Sequence, residues 1–174
     1  MFPDLHILLS AIDAHFLGIN VFKENPLCYF KIPHVYSEAW FPLHYIGFSD
    51  EYRIQIGLLL ILFFALGVSW QIKDNANLFI PLCISPAVLL AVERCNNDLI
   101  IFFLLFLVVK FALSEKKQWM LAGHLLLYVV IALKYYPVAF SVIFLFRKEK
   151  LYKKFIHISA PLIFFFVMDL LLLE

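Results

Sequence analysis

Apolar residues run in long blocks separated by short polar turns, not in the mixed periodicity of a soluble domain. Six blocks read as transmembrane helices: Ile54 to Trp70, Leu78 to Val92, Leu99 to Leu113, Trp119 to Leu133, Tyr135 to Phe146 and Phe155 to Leu173. Several are shorter than the ~20 residues an untilted helix needs to cross ~30 Å of hydrocarbon, as expected of helices that end beneath a water-filled cavity. Prolines interrupt them at Pro81, Pro86, Pro137 and Pro161. Such breaks are tolerated where neighbouring protein or water satisfies the freed backbone groups. The first 53 residues follow a different pattern. In DLHILLSAIDAHF, Leu5, Leu8, Leu9, Ile12 and Phe16 recur at helical spacing while His6, Ser10 and Asp13 fall elsewhere on the wheel, which predicts an amphipathic helix lying on the membrane surface.

The expected architecture is therefore an all-α polytopic membrane protein. Residues 1–53 form an extracytoplasmic loop region, and residues 54–174 a transmembrane bundle of about six spans. Composition strengthens this reading, with 64% hydrophobic residues, 20 Phe and only 16% charged residues. A formal net charge of +1 offers no basic surface for nucleic acid, which is not an expected partner. Cys28, Cys83 and Cys95 are scattered and form neither a disulfide framework nor a metal-ligand spacing, so no metal and no cofactor is expected.

Charge sets the expected orientation. If the spans alternate, the turns around Lys73, around Lys116 and Lys117, and from Arg147 to Lys154 share one side and hold eight basic residues, with Lys110 nearby. The other side holds Lys23, Lys31, Arg53, Arg94 and Lys134. The positive-inside rule makes the first side cytoplasmic. The amino-terminal region, the turn ERCNND (residues 93 to 98) and the turn ALKYYP (residues 132 to 137) then meet at the extracytoplasmic face.

Polar groups in those turns have two readings. They line a site together, or Asn97 or Asp98 caps the helix beginning at Leu99 while Glu93 and Arg94 pair at a wet turn. Lys134, followed by Tyr135, Tyr136 and Pro137 within an apolar stretch, either meets an anion or snorkels to the interface.

VERCNNDLIIFFLLFL, followed by LAGHLLLYVVIALKYYPVAFSVIFLFRKEK, resembles bacterial glycosyltransferase family 87, whose pattern has ERG-N/Q before one helix and K-x-[YT]-P after the next. PDLHILLSAIDAHFLGINVF is similar to the family's first outer loop, and VYSEAW more weakly to a further segment of it. The family consists of C-type glycosyltransferases, membrane enzymes that use polyprenyl-phosphate sugars. The resemblance implies inverting transfer of a sugar, typically mannose, from a polyprenyl-phosphate donor to a lipid or glycan hydroxyl acceptor at the extracytoplasmic face of a bacterial cell membrane. It implies Asp4 as general base, Arg94 and Lys134 as donor-phosphate ligands, and Glu93, Asn96, Asn97, Asp98, Tyr135 and Tyr136 as sugar-binding or orienting groups. Membrane lipids are the surrounding partners. It also implies a longer whole enzyme, with a helix before this chain and a second half after it. Cys95 stands where the family usually has glycine. Two other classes remain open on the residues alone: a transporter or flippase subunit for lipid-linked sugar, and a structural membrane protein or inactive remnant.

Overall fold

The computed structural model describes residues 2–171, excepting the side chains of residues 71–76, 78, 79, 82 and 169–171. The side chain of Lys73 and the end of the expected span at Leu173 thus lie outside the described residues. Among those described, the chain is all-helical, with α1 (Pro3–Phe16), α2 (Arg53–Cys83), α3 (Pro86–Arg94), α4 (Asp98–Ala112), α5 (Lys117–Leu133) and α6 (Leu151–Leu171). Three 3₁₀ segments, Glu38–Ile46, Asp50–Tyr52 and Tyr136–Phe146, complete the order. The chain divides into two compact units, residues 1–103 and 104–174.

In the first unit, α1 starts with Pro3 at its first position, where a missing N–H costs nothing, and carries Asp4 in its first turn. It stops at Gly18, whose φ of 80° continues into a turn in which Gly18 N–H donates to the His15 carbonyl and Ile19 N–H to that of Ala14. Within this unit the helix is enclosed by the chain itself. Leu5, Leu8, Leu9, Ile12, His6 and Ser10 are all buried, so its apolar and polar faces alike are covered. The covering layer is the segment after it. Asn25 Nδ2 donates to Ser10 Oγ at 3.1 Å, Tyr29 N–H donates to His6 Nε2 at 3.1 Å, and His6 Nδ1 lies 2.9 Å from Asp50 Oδ1. Asp13 accepts from Ser49 Oγ and from Asp50 N–H, fixing the 3₁₀ turn that leads into α2. The expected amphipathic helix thus forms the core of this unit.

The spans also differ from expectation. Among the described residues, two helical stretches are long and apolar enough to cross a membrane, Asp50–Trp70 and Leu151–Met168, and a third counts if α3 and α4, bent by 112° at their junction, act as one span. Helix α2 continues without a break through the turn expected near Lys73, and the expected second span is divided between its end and α3. Helix α5 and the segment Tyr136–Phe146 are apolar but shorter. Composition alone does not mark where a helix ends, which is why the apolar blocks and the helices part company here.

The second unit is a hairpin packed on α6. The chain leaves α5 at Lys134, extended at φ −149° and ψ 140°, and doubles back, because the His124 ring stacks on Phe144 with centroids 4.0 Å apart. One kinked helix from Trp119 to Phe146 would hold those rings far apart. Gly123 lets α5 approach the end of α4, since a Cβ there would come within 2.7 Å of the Ala112 nitrogen. Arg147 clamps the same end, donating to the carbonyls of Ala112 and Ser114, and pairs with Glu149 at 2.8 Å.

Candidate functional site

The turn that interrupts the apolar pattern at ERCNND is the α3–α4 bend. Helix α3 begins under a Ser85 cap with Pro86 at its first position and ends at Arg94. Cys95 then takes the left-handed conformation, φ 49° and ψ 54°, while its N–H donates to the Val92 carbonyl and the Asn96 N–H to that of Ala91. Glycine is the usual residue at this closing position because any Cβ is strained there. The expected departure at Cys95 therefore sits on a backbone that favours glycine. Its thiol is fully buried and lies 3.5 Å from the Gly57 carbonyl of α2. Gly57 also makes room for the Phe2 ring, which a Cβ would meet at 2.5 Å.

Chain reversal at Cys95 aims Arg94 and Asn96 at the first turn of α1, where both reach Asp4. Arg94 Nε donates to Asp4 Oδ1 at 2.9 Å, and Nη2 lies 2.5 Å from the same oxygen. Asn96 Nδ2 donates to Asp4 Oδ2 at 2.9 Å. Both carboxylate oxygens are thus engaged, by residues about ninety positions away in sequence. The Asn96 side chain also accepts from the Asp98 N–H at 2.9 Å, so Asn96 caps the first turn of α4 in place of Asn97. The Asp4 side chain is 12% exposed and that of Arg94 44%, so the carboxylate is largely covered while the guanidinium faces outward.

Other residues expected at the site divide clearly. Glu93 is exposed and makes no ion pair with Arg94 among the described residues, so the expected Glu93–Arg94 pair is replaced by Asp4–Arg94. Asn97 is buried, and its side-chain amide has no hydrogen-bond partner among the described residues. Asp98 faces an apolar cavity of about 200 Å³ between α2, α3 and α4, which is also lined by Phe64, Val88, Leu99 and Phe102. Asp13 points away from Asp4 into the 3₁₀ turn, consistent with nine residues of helical rotation between them. Lys134, Tyr135 and Tyr136 belong to the second unit, where the Lys134 ammonium lies 5.7 Å from the Tyr136 ring centroid, a cation–π distance.

Tyr36 joins the cluster without having been singled out from sequence. Burial raises its phenol above the ordinary range, and the nearby Asp4 and Asp98 carboxylates add to the shift against the opposing Arg94 charge. The phenol is thereby held as a hydroxyl, able to donate. Its only sequence signal is the VYSEAW segment. His34, by contrast, is buried among aromatic rings, and that burial lowers its pKa and keeps it neutral.

Among the described residues no group of three or more His, Cys, Asp or Glu side chains is arranged to hold a metal ion. The arrangement offers a carboxylate, a guanidinium that faces outward, an amide and a phenolic hydroxyl, beside an apolar cavity. No family model matches the chain, no curated protein matches it and no solved structure does.

Proposed function

We propose that the chain is an integral membrane glycosyltransferase that moves a sugar, mannose in the first instance, from a polyprenyl-phosphate donor to a hydroxyl acceptor at the extracytoplasmic face. The observation that carries this reading is the direct contact of Asp4 with Arg94 and Asn96. It joins the two segments that resemble family 87, and it couples a base to a cation.

With no donor bound, the guanidinium and the carboxylate neutralise one another. A donor phosphate competes for Arg94, whose planar fork suits two phosphate oxygens, and its arrival releases Asp4. The freed carboxylate accepts the proton of the acceptor hydroxyl as that oxygen attacks the anomeric carbon. A new glycosidic bond forms, the bond to the phosphate oxygen breaks on the opposite face, and polyprenyl phosphate departs as a stable anion with configuration inverted. Asn96 keeps Asp4 in place throughout, because its own carbonyl is fixed by the α4 cap. Tyr36 supplies a hydroxyl for the sugar. The cavity beside Asp98 suits the first apolar units of the lipid tail.

Radiolabelled sugar transfer tests the reading. The chain in vesicles with polyprenyl-phosphate mannose is expected to release polyprenyl phosphate and move label into membrane acceptors. Donor that crosses the bilayer unconsumed would make the protein a flippase, and donor neither moved nor consumed would remove the enzymatic reading altogether.

A further inference from the structure

Helices α5 and α6 of the second unit begin side by side around a cavity of about 430 Å³, lined by Glu115, Lys117, Arg147, Glu149, Lys153 and His157 among others. We propose that this cavity binds the phosphate headgroup of an anionic lipid. The inference goes beyond the transferase reading and rests only on α5 and α6 lying in a membrane.

The charged groups of the cavity fall into two sets. Arg147 and Glu149 pair at 2.8 Å, and His157 Nε2 lies 3.3 Å from the second carboxylate oxygen, at ion-pair distance. The Glu149 carboxyl lies below its ordinary range, because hydrogen bonds and charge from Arg147 and His157 outweigh the burial that would raise it. These three groups build the wall. Lys117 and Lys153 form the second set. Both are exposed, and among the described residues neither ammonium has a hydrogen bond or ion pair. Among the described residues that line the cavity, Glu115, which is exposed, is the carboxylate that opposes them outside the Arg147 pair. Lys116, Lys148 and Lys150 lie close in sequence and are exposed as well. Two unpaired ammonium groups on one cavity call for an anion with several oxygen acceptors.

Depth points to a lipid as its source. The apolar stretch Leu151–Met168 starts two residues before Lys153, and the apolar helix α5 starts at Lys117 itself. Trp119 and Tyr152, 42% and 57% exposed, stand one or two residues from these lysines, as amphipathic rings do at the level of the headgroups. The lysine and arginine bias reads this end as cytoplasmic, where anionic lipids concentrate and juxtamembrane basic residues attract them.

The test is native mass spectrometry of the full chain released from phosphatidylcholine nanodiscs doped with phosphatidic acid. The wild-type chain is expected to retain one phosphatidic acid in preference to phosphatidylcholine. Lys117→Gln with Lys153→Gln should lower that retention by about tenfold or more, and Lys117→Arg with Lys153→Arg should restore most of it. Lys23→Gln with Lys31→Gln, which removes two exposed charges from the first unit, should leave it unchanged. Equal retention by the glutamine pair, or an equal loss in the Lys23 and Lys31 control, would overturn the proposal. So would inorganic phosphate displacing the lipid at equal concentration, which would assign the cavity to a soluble phosphate.

Discussion

Asp4→Asn is expected to lower sugar transfer by at least ~10²-fold, the usual scale for a positioned base, while the protein still inserts and folds. The amide keeps the shape of the carboxylate. Its oxygen still accepts from Arg94 or Asn96, so the tie between α1 and the α3–α4 bend is weakened and not cut. What is lost is the ability to take a proton. Asp13→Asn should stay close to wild type in transfer, because Asp13 serves the 3₁₀ turn at Asp50 and faces away from Asp4. Steady-state transfer rates at saturating donor provide the comparison. Near-normal transfer by Asp4→Asn would move the base to Glu93 or Asp98.

Leu9→Ala is expected to destabilise the first unit by about 2–5 kcal/mol, the range for removing a buried leucine side chain from a core that relaxes only in part. Leu9 is fully buried on α1, whereas Leu17, just past the helix end, is 70% exposed. Leu17→Ala should therefore change stability by no more than about 0.5 kcal/mol. Thermal unfolding in detergent, followed by near-ultraviolet circular dichroism, reads the difference. A helix resting on lipid would give another outcome, with both variants folding normally and binding the membrane less well.

The contrast between these two residues shows what the sequence could and could not disclose. The existence of α1 was legible, because Leu5, Leu8, Leu9, Ile12 and Phe16 recur at helical spacing. Its burial was not. A stripe of Leu5, Leu8, Leu9 and Ile12 suits a lipid surface as well as a protein core, and the deciding groups are Asn25, Tyr29 and Asp50, which cover the polar face from outside the helix. ERCNND was legible as a polar interruption that needs a reason, and Asp4, Arg94 and Asn96 were each singled out. That they touch was not legible, since the contact depends on the left-handed turn at Cys95 bending two helices by 112°. The fold-back at Lys134 was expected from the charge distribution, which would otherwise place Lys116 and Lys117 opposite Arg147 to Lys154. The Arg147–Glu149–His157 cluster escaped notice because Arg147 reads as one more cytoplasmic charge until the end of α4 is brought beside it. The length of α2 escaped as well, for a helix can carry polar residues out of an apolar block without ending.

The exchange of Arg94 from Asp4 to the donor phosphate is the central claim, and donor affinity tests it most directly. Titration of the chain with polyprenyl-phosphate mannose should show Arg94→Ala binding donor about tenfold or more weakly, the scale of hydrogen bonds to a charged group, with Arg94→Lys in between. Asp4→Asn should bind donor at least as tightly as wild type, since the internal anion that competes for the guanidinium is gone. Opposite signs at two residues 2.5 Å apart are what a shared guanidinium requires. Parallel weakening in both variants, or unchanged affinity in both, would contradict the exchange and leave the pair a structural clasp between α1 and the α3–α4 bend.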